Sequence, residues 1–285
     1  MYPRSEGVIT IEGISHTYVR EGSGKPIAVI GSAIYYPKAF SSSLKEQFEL
    51  VFIDLKHFIP LYNPPKEELE KVTLEDFVDD LEAAREELGL EKPAFLGHSV
   101  HAQIALRYAE KYPQHTSHLI LLCGVPYSFS EFSKESDEFW DKDASEERKA
   151  ILAKNLEQYQ AELSSAPPSR LFAIYYTING PKYWMDPNYD ATVLLEGIEN
   201  GVALDPLFAS LPSRIEVSKT LENLDMPTLV ILGRYDYAIP YTVWEELLEG
   251  LDNITYYLIE ESSHNPHTEH PGLFDPKLIS WLKNK

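Results

Sequence analysis

At 285 residues the chain can bury a sizeable core, either as one large α/β domain with an insertion or as two small domains. It carries 45 acidic against 25 basic residues, a formal charge of −20, and such a surface repels phosphate backbones and anionic lipid, so neither nucleic acid nor a membrane is an expected partner. Cys123 is the only cysteine, which excludes an intrachain disulfide, and no apolar run has the length of a signal peptide or a bilayer span, so a cytoplasmic location is expected.

In chain order, "GVITIEGISHTYVREGSGKP" reads as two short strands joined by a turn, closed by a Gly/Ser/Pro break. "PIAVIG" is a short buried strand, "AFSSSLKEQF" has helical spacing, and "LVFIDL" is a second buried strand. "YNPPKEELEK" is expected to be an exposed loop. The run from Val72 to Pro93 is an amphipathic helix, with Thr73 as N-cap, Asp76 three residues on, and Gly89 as the stop. "PAFLG" is a strand, the segment from Ser99 a helix, and "SHLILLCG" a strand in which Cys123 is expected as a buried small hydrophobe. Strand and helix thus alternate, with continuous apolar strands, the pattern of a mostly parallel α/β sheet covered on both faces.

The rhythm breaks between residues 126 and 217. That stretch is helical and rich in aromatics and charge, with "SEERKAILAKNLEQYQAEL" as its clearest helix and Ser145 as its cap. Alternation returns with "MPTLVILG", "YTVWEELLEGL", "NITYYLIE" and the closing helix "GLFDPKLISWLK". The expected organisation is a core of residues 1–125 and 218–285 with a helical cap, 126–217, inserted between two portions of one sheet.

One constellation carries chemistry. In Gly97-His98-Ser99-Val100-His101 a strand ends in glycine and turns at once into a helix, which forces the serine into a strained conformation. Its hydroxyl then projects from the carboxyl edge of the sheet, and the amides that follow can donate to an oxyanion. This is the G-x-S-x-G elbow without its last glycine. A serine nucleophile needs a base, and the base needs an orienting carboxylate. Asp236 lies just past one later strand and His264 just past the next, so both reach the same edge in the order Ser, Asp, His. His264, His267 and His270 recur every third residue, but Pro266 and Pro271 argue against one helix, and no metal site is expected.

"GHSVHAQIALRYAEKYPQHTSHLILL", "VILGRYDYAIP" and "SSHNPHTEHPGLF" resemble the α/β-hydrolase superfamily, above all its proline-iminopeptidase-like and esterase-like members. The resemblance implies an α/β-hydrolase fold with Ser99 as nucleophile, Asp236 as acid and His264 as base. It also implies an oxyanion hole from the amides of Val100 and Ser32. The chain departs from the pattern at three points: Ile30 stands where His is usual before Gly31, His101 replaces the elbow's last glycine, and in "DLKHFIP" Asp54 keeps its place but the usual Arg-Gly after it is absent. The cap is expected to set the substrate, with Trp140, Tyr176, Trp184 and an outward-turned His101 as pocket residues and Ala102 as the small residue at the turn. The expectation is a cofactor-independent serine hydrolase of a small ester or amide, a monomer or homodimer. The alternatives are a proline-iminopeptidase-type aminopeptidase, with Asp186, Asp190, Glu196 and Glu199 as candidates to bind a free amine, and a ligand-binding or inactive member of the same fold.

Overall fold

The computed structural model describes residues 2–285. Eight strands form one sheet: β1 (Arg4–Ile11), β2 (Ile14–Gly22), β3 (Pro26–Gly31), β4 (Glu49–Asp54), β5 (Ala94–His98), β6 (His118–Leu122), β7 (Thr228–Gly233) and β8 (Ile254–Ile259). Their order across the sheet is β1-β2-β4-β3-β5-β6-β7-β8. β1 and β2 form a hairpin whose turn, Glu12-Gly13, has positive φ at both residues, the geometry that matches strand twist. β2 pairs antiparallel with β4, and every later pairing is parallel.

The continuous apolar strands are explained by two cores, one on each face. Ala28, Ile30, Val51, Ile53, Phe95 and Leu121 pack on one side, against the helices Leu74–Glu87, His101–Lys111 and Tyr241–Leu248. Their alternates Val29, Phe52, Leu96 and Leu122 pack on the other, against Phe274, Leu278 and Trp281 of the closing helix Pro271–Asn284. Period-2 alternation persists, but both phases are buried. At the start of the helix Leu74–Glu87, the Asp76 carboxylate accepts from the Thr73 amide at 2.7 Å, as the spacing predicts.

Between β6 and β7 the chain is helical: Phe129–Asp143, Glu146–Ser165, Pro168–Ile178 and Arg214–Glu222 are its main elements. The expected cap boundary at 217 falls inside the last of these, whose Val217 and Leu221 join the same apolar cluster as the sheet's first face. Two local expectations are corrected. "AFSSSLKEQF" forms only a four-residue helix, Ser42–Lys45, and "YNPPKEELEK" contains the short helix Lys66–Leu69. Among the described residues no helix is long and apolar enough to cross a membrane.

Candidate active site

β5 ends at His98 and the next helix begins at His101, so the reversal falls on Ser99. Its φ is 58°, left-handed for a residue with a Cβ. The backbone is held there from both sides: Ser99 N donates to Leu122 O at 3.1 Å, and Ser99 O accepts from Ala102 N at 3.1 Å and Val125 N at 3.0 Å. The turn is tight enough that a Cβ on Gly97 would sit 2.6 Å from Ala102 Cα, and one on Gly124 would sit 2.4 Å from Ala102 Cβ. Ala102 therefore makes the close approach expected of a small residue at the elbow.

β7 and β8 deliver the two partners. The ring of His264 meets the Asp236 carboxylate through Nδ1 at 2.7 Å, and both side chains are buried. The other Asp236 oxygen accepts from the amides of Ala238 at 3.0 Å and Ile239 at 2.9 Å, so its lone pairs are committed. That contact leaves Nε2 as the ring nitrogen without a hydrogen-bond partner among the described residues. Ser99 and His264 line one cavity, although the serine hydroxyl forms no hydrogen bond to the ring in this state; such contacts are often long without substrate. Cys123, at the end of β6, is fully buried next to this pair, and burial pushes its thiol well above the ordinary range, so it behaves as packing.

Ser32 and Val100 both line this cavity, and among the described residues neither amide donates a hydrogen bond. The Ser32 hydroxyl is used locally, accepting from Ile34 N at 3.1 Å and Tyr35 N at 3.0 Å. The Asp54 carboxylate accepts from Ala33 N at 2.6 Å and so pins the loop that carries the Ser32 amide. Burial pushes that carboxyl up to about 7, against the opposing effect of the Ala33 hydrogen bond.

His101 differs from expectation. Its ring lines the cavity, but it is buried and hydrogen-bonded rather than turned outward: Nδ1 meets the Tyr36 hydroxyl at 3.0 Å and Nε2 meets His57 Nε2 at 2.8 Å. It also lies against the glycine after β3, since a Cβ on Gly31 would meet the ring at 2.5 Å. Sequence reasoning missed Tyr36 and His57. It also missed Glu269, which accepts from Ser262 Oγ at 2.6 Å and Ser263 N at 2.8 Å and so braces the loop before His264.

The cavity holds about 70 Å³ of free volume, and its walls include Phe58, Phe172, Tyr176, Leu195, Leu204 and Phe208. Tyr176 is thus where the sequence placed it. Trp140 and Trp184 are not: Trp140 packs against Tyr237 in a separate cluster, and Trp184 stacks on Tyr189 at 4.1 Å, away from the cavity. Both rings are taken up by neighbouring aromatic side chains instead. Nor do Asp186, Asp190, Glu196 or Glu199 reach it; all four are exposed, and no carboxylate lines the cavity. His267 sits among the rings of Tyr36, Phe40, His98 and Phe274.

A family model for the alpha/beta hydrolase fold matches residues 60–271. The AB hydrolase superfamily protein YclE of Bacillus subtilis is 32% identical over 280 residues, covering 97% of this chain and 98% of that protein. The proline iminopeptidase PfmaB of Pestalotiopsis fici is 26% identical over 218 residues, covering 74% of this chain and 75% of its own. Among solved structures, a thermophilic esterase from Thermogutta terrifontis superposes with a TM-score of 0.70 at 21% identity, covering 98% of each chain.

Proposed function

The chain belongs to the alpha/beta hydrolase family, and from that premise we propose that it is a cofactor-independent serine hydrolase cleaving carboxylic esters with a short, uncharged acyl group. The observation that carries this reading is the pairing of a left-handed Ser99 with a His264–Asp236 couple at one cavity. Ser99 Oγ attacks the acyl carbon while His264 Nε2 takes its proton. Asp236 holds Nδ1–H and stabilises the imidazolium that forms. The amides of Val100 and Ser32 donate to the oxyanion. The proton then passes from His264 to the leaving alcohol, and water, deprotonated by the same ring, releases the acid.

The cavity argues for the acyl group. About 70 Å³ is roughly half the size of an engineered cavity of ~150 Å³ that accepts benzene, which points to an acyl chain of a few carbons. A wider groove shares Phe172, Tyr176, Asn200, Leu204 and Phe208 with it and offers room for a larger alcohol portion. The aminopeptidase alternative draws on the 26% identity to a proline iminopeptidase. It requires a carboxylate for the free amine, and none lines the cavity.

The test is a panel of p-nitrophenyl esters from acetyl to octanoyl beside proline p-nitroanilide, with wild type and Ser99→Ala. We expect turnover highest on the short esters, little on the anilide, and a loss of about 10³-fold or more in the folded variant. A Ser99→Ala protein that hydrolyses esters normally would end this reading, and preference for the anilide would move it to the aminopeptidase.

A further inference from the structure

His57 and His101 belong to a hydrogen-bond chain whose direction is fixed by one backbone carbonyl. His98 Nε2 meets His264 O at 2.9 Å, and a carbonyl only accepts, so His98 carries its proton on Nε2. His98 Nδ1 is then a bare acceptor, and the Tyr36 hydroxyl donates a hydrogen bond to it at 3.2 Å. Tyr36 has no second proton, so at its 3.0 Å contact His101 Nδ1 must donate. His101 Nε2 is therefore bare, and His57 Nε2–H donates to it at 2.8 Å. The order runs His57, His101, Tyr36, His98, and ends on the peptide of the residue read as the base. Every ring in it is buried.

We propose that Tyr36 and His98 are positioning residues for His264: the Tyr36 hydroxyl holds His98 in the Nε2–H tautomer, and that N–H fixes the His264 peptide opposite Ser99. The proposal rests on the serine-hydrolase reading. It accounts for why two buried histidines beside the nucleophile do no proton transfer themselves. The lone pair of His98 is engaged by Tyr36 and that of His101 by His57, whereas His264 alone pairs a carboxylate at Nδ1 with an unengaged Nε2. Burial lowers all three rings of the chain, His101 to about 4 and His57 and His98 well below the ordinary value, so each stays neutral with a single proton and the polarity is unambiguous at neutral pH. Without the Tyr36 hydroxyl, His98 is free to move its proton to Nδ1, which puts two acceptors face to face at the His264 carbonyl.

The experiment is a double-mutant cycle on a short p-nitrophenyl ester. Tyr36→Phe keeps the ring and removes the hydroxyl. His98→Gln places an amide N–H where Nε2–H stood and has no tautomer to lose. We expect Tyr36→Phe to lower kcat by about 10-fold or more with KM changed less than about 2-fold, since a misplaced base affects chemistry rather than binding. Made on His98→Gln, the same change should cost less than about 2-fold. Independent, multiplying effects would overturn the proposal. So would a Tyr36→Phe enzyme with wild-type kcat, or a folded His98→Gln as dead as Ser99→Ala. A readout without turnover separates this proposal from the reading beneath it. In 15N-histidine-labelled wild type at neutral pH the His98 ring should appear Nε2-protonated, and in Tyr36→Phe it should shift toward Nδ1-protonated. A wild-type His98 protonated on Nδ1 refutes the positioning role whatever the enzyme hydrolyses, while ester turnover by Ser99→Ala refutes the hydrolase reading and leaves the tautomer untouched.

Discussion

The backbone at Ser99 makes a quantitative claim that separates conformation from chemistry. With φ at 58°, the residue sits where a Cβ crowds the following carbonyl, at a cost of roughly 1–2 kcal/mol that glycine does not bear. Ser99→Ala and Ser99→Gly both delete the hydroxyl, so they differ only in that Cβ. The turn itself is retained in both, because its hydrogen bonds to Leu122, Ala102 and Val125 are made by main-chain atoms. Glycine carries extra freedom in the unfolded chain worth about 0.4–1 kcal/mol, which offsets part of the relief. The net expectation is that Ser99→Gly is more stable than Ser99→Ala by about 0.5–1 kcal/mol. In a chain of this length that corresponds to a melting temperature higher by about 1–4 °C. Thermal unfolding of the two variants in the same buffer, with residual ester hydrolysis measured in parallel, is the assay, and both should be inactive. If the alanine variant melts at or above the glycine variant, Ser99 is not held in the left-handed region and the elbow argument fails.

Three further outcomes follow from the site. Asp236→Asn leaves the carboxamide room to hydrogen-bond but favours the wrong tautomer of His264, so kcat should fall by about 10³–10⁴-fold with the melting curve little changed; a loss under 10-fold in initial-rate assays would remove Asp236 from the triad. His101→Gly should cost about 2–4 kcal/mol, from a lost buried hydrogen-bond pair and a helix glycine, while widening the acyl cavity; kcat/KM across the ester panel should shift toward longer chains, and uniform inactivation would contradict this. His267, whose two ring nitrogens have no hydrogen-bond partner among the described residues, is pushed down to about 3, chiefly by burial. The unfolded chain binds its proton from about pH 6.5 downward and the folded chain does not, so His267 costs stability as pH falls through that window, about 1.4 kcal/mol per pH unit. The difference in melting temperature between His267→Phe and wild type should therefore widen in the variant's favour from pH 6.5 to pH 5, and a constant difference would show that the ring is not held neutral.

What the sequence made legible was whatever depends on local order. Six of the eight strands were readable as short apolar runs between breaks and the first two as a hairpin around a turn, and Ser99, Asp236 and His264 stood out because each follows such a run in a fixed order. Pocket residues obeyed no such rule. Trp140, Trp184 and Tyr176 are equally aromatic and all lie in the cap, yet only Tyr176 reaches the cavity, because which side of a cap segment faces the sheet depends on packing between segments that no single one encodes. The same limit hid Glu269, whose partners at Ser262 and Ser263 lie on the turn it braces.

The departures from the family pattern are the sharpest case. Read along the chain, Ile30, His57 and His101 are three unrelated substitutions, each weakening the resemblance. In space the two histidines belong to one arrangement. His101 fills the gap beside Gly31 so closely that any Cβ there would strike its ring, which ties the elbow helix to the loop carrying the Ser32 amide. A second imidazole at His57, where the family pattern has glycine, then supplies the N–H that His101 Nε2 needs once it is buried. Ile30 takes no part in this polar contact and is wholly buried in the apolar core on the sheet's first face. Without His57 the buried His101 Nε2 would lose its partner at a cost of about 1–3 kcal/mol, and without His101 the buried His57 ring, whose Nδ1 has no partner among the described residues, would lose its one hydrogen bond. Each makes sense only with the other, so restoring glycine at both positions should be less destabilising than the two single changes added together.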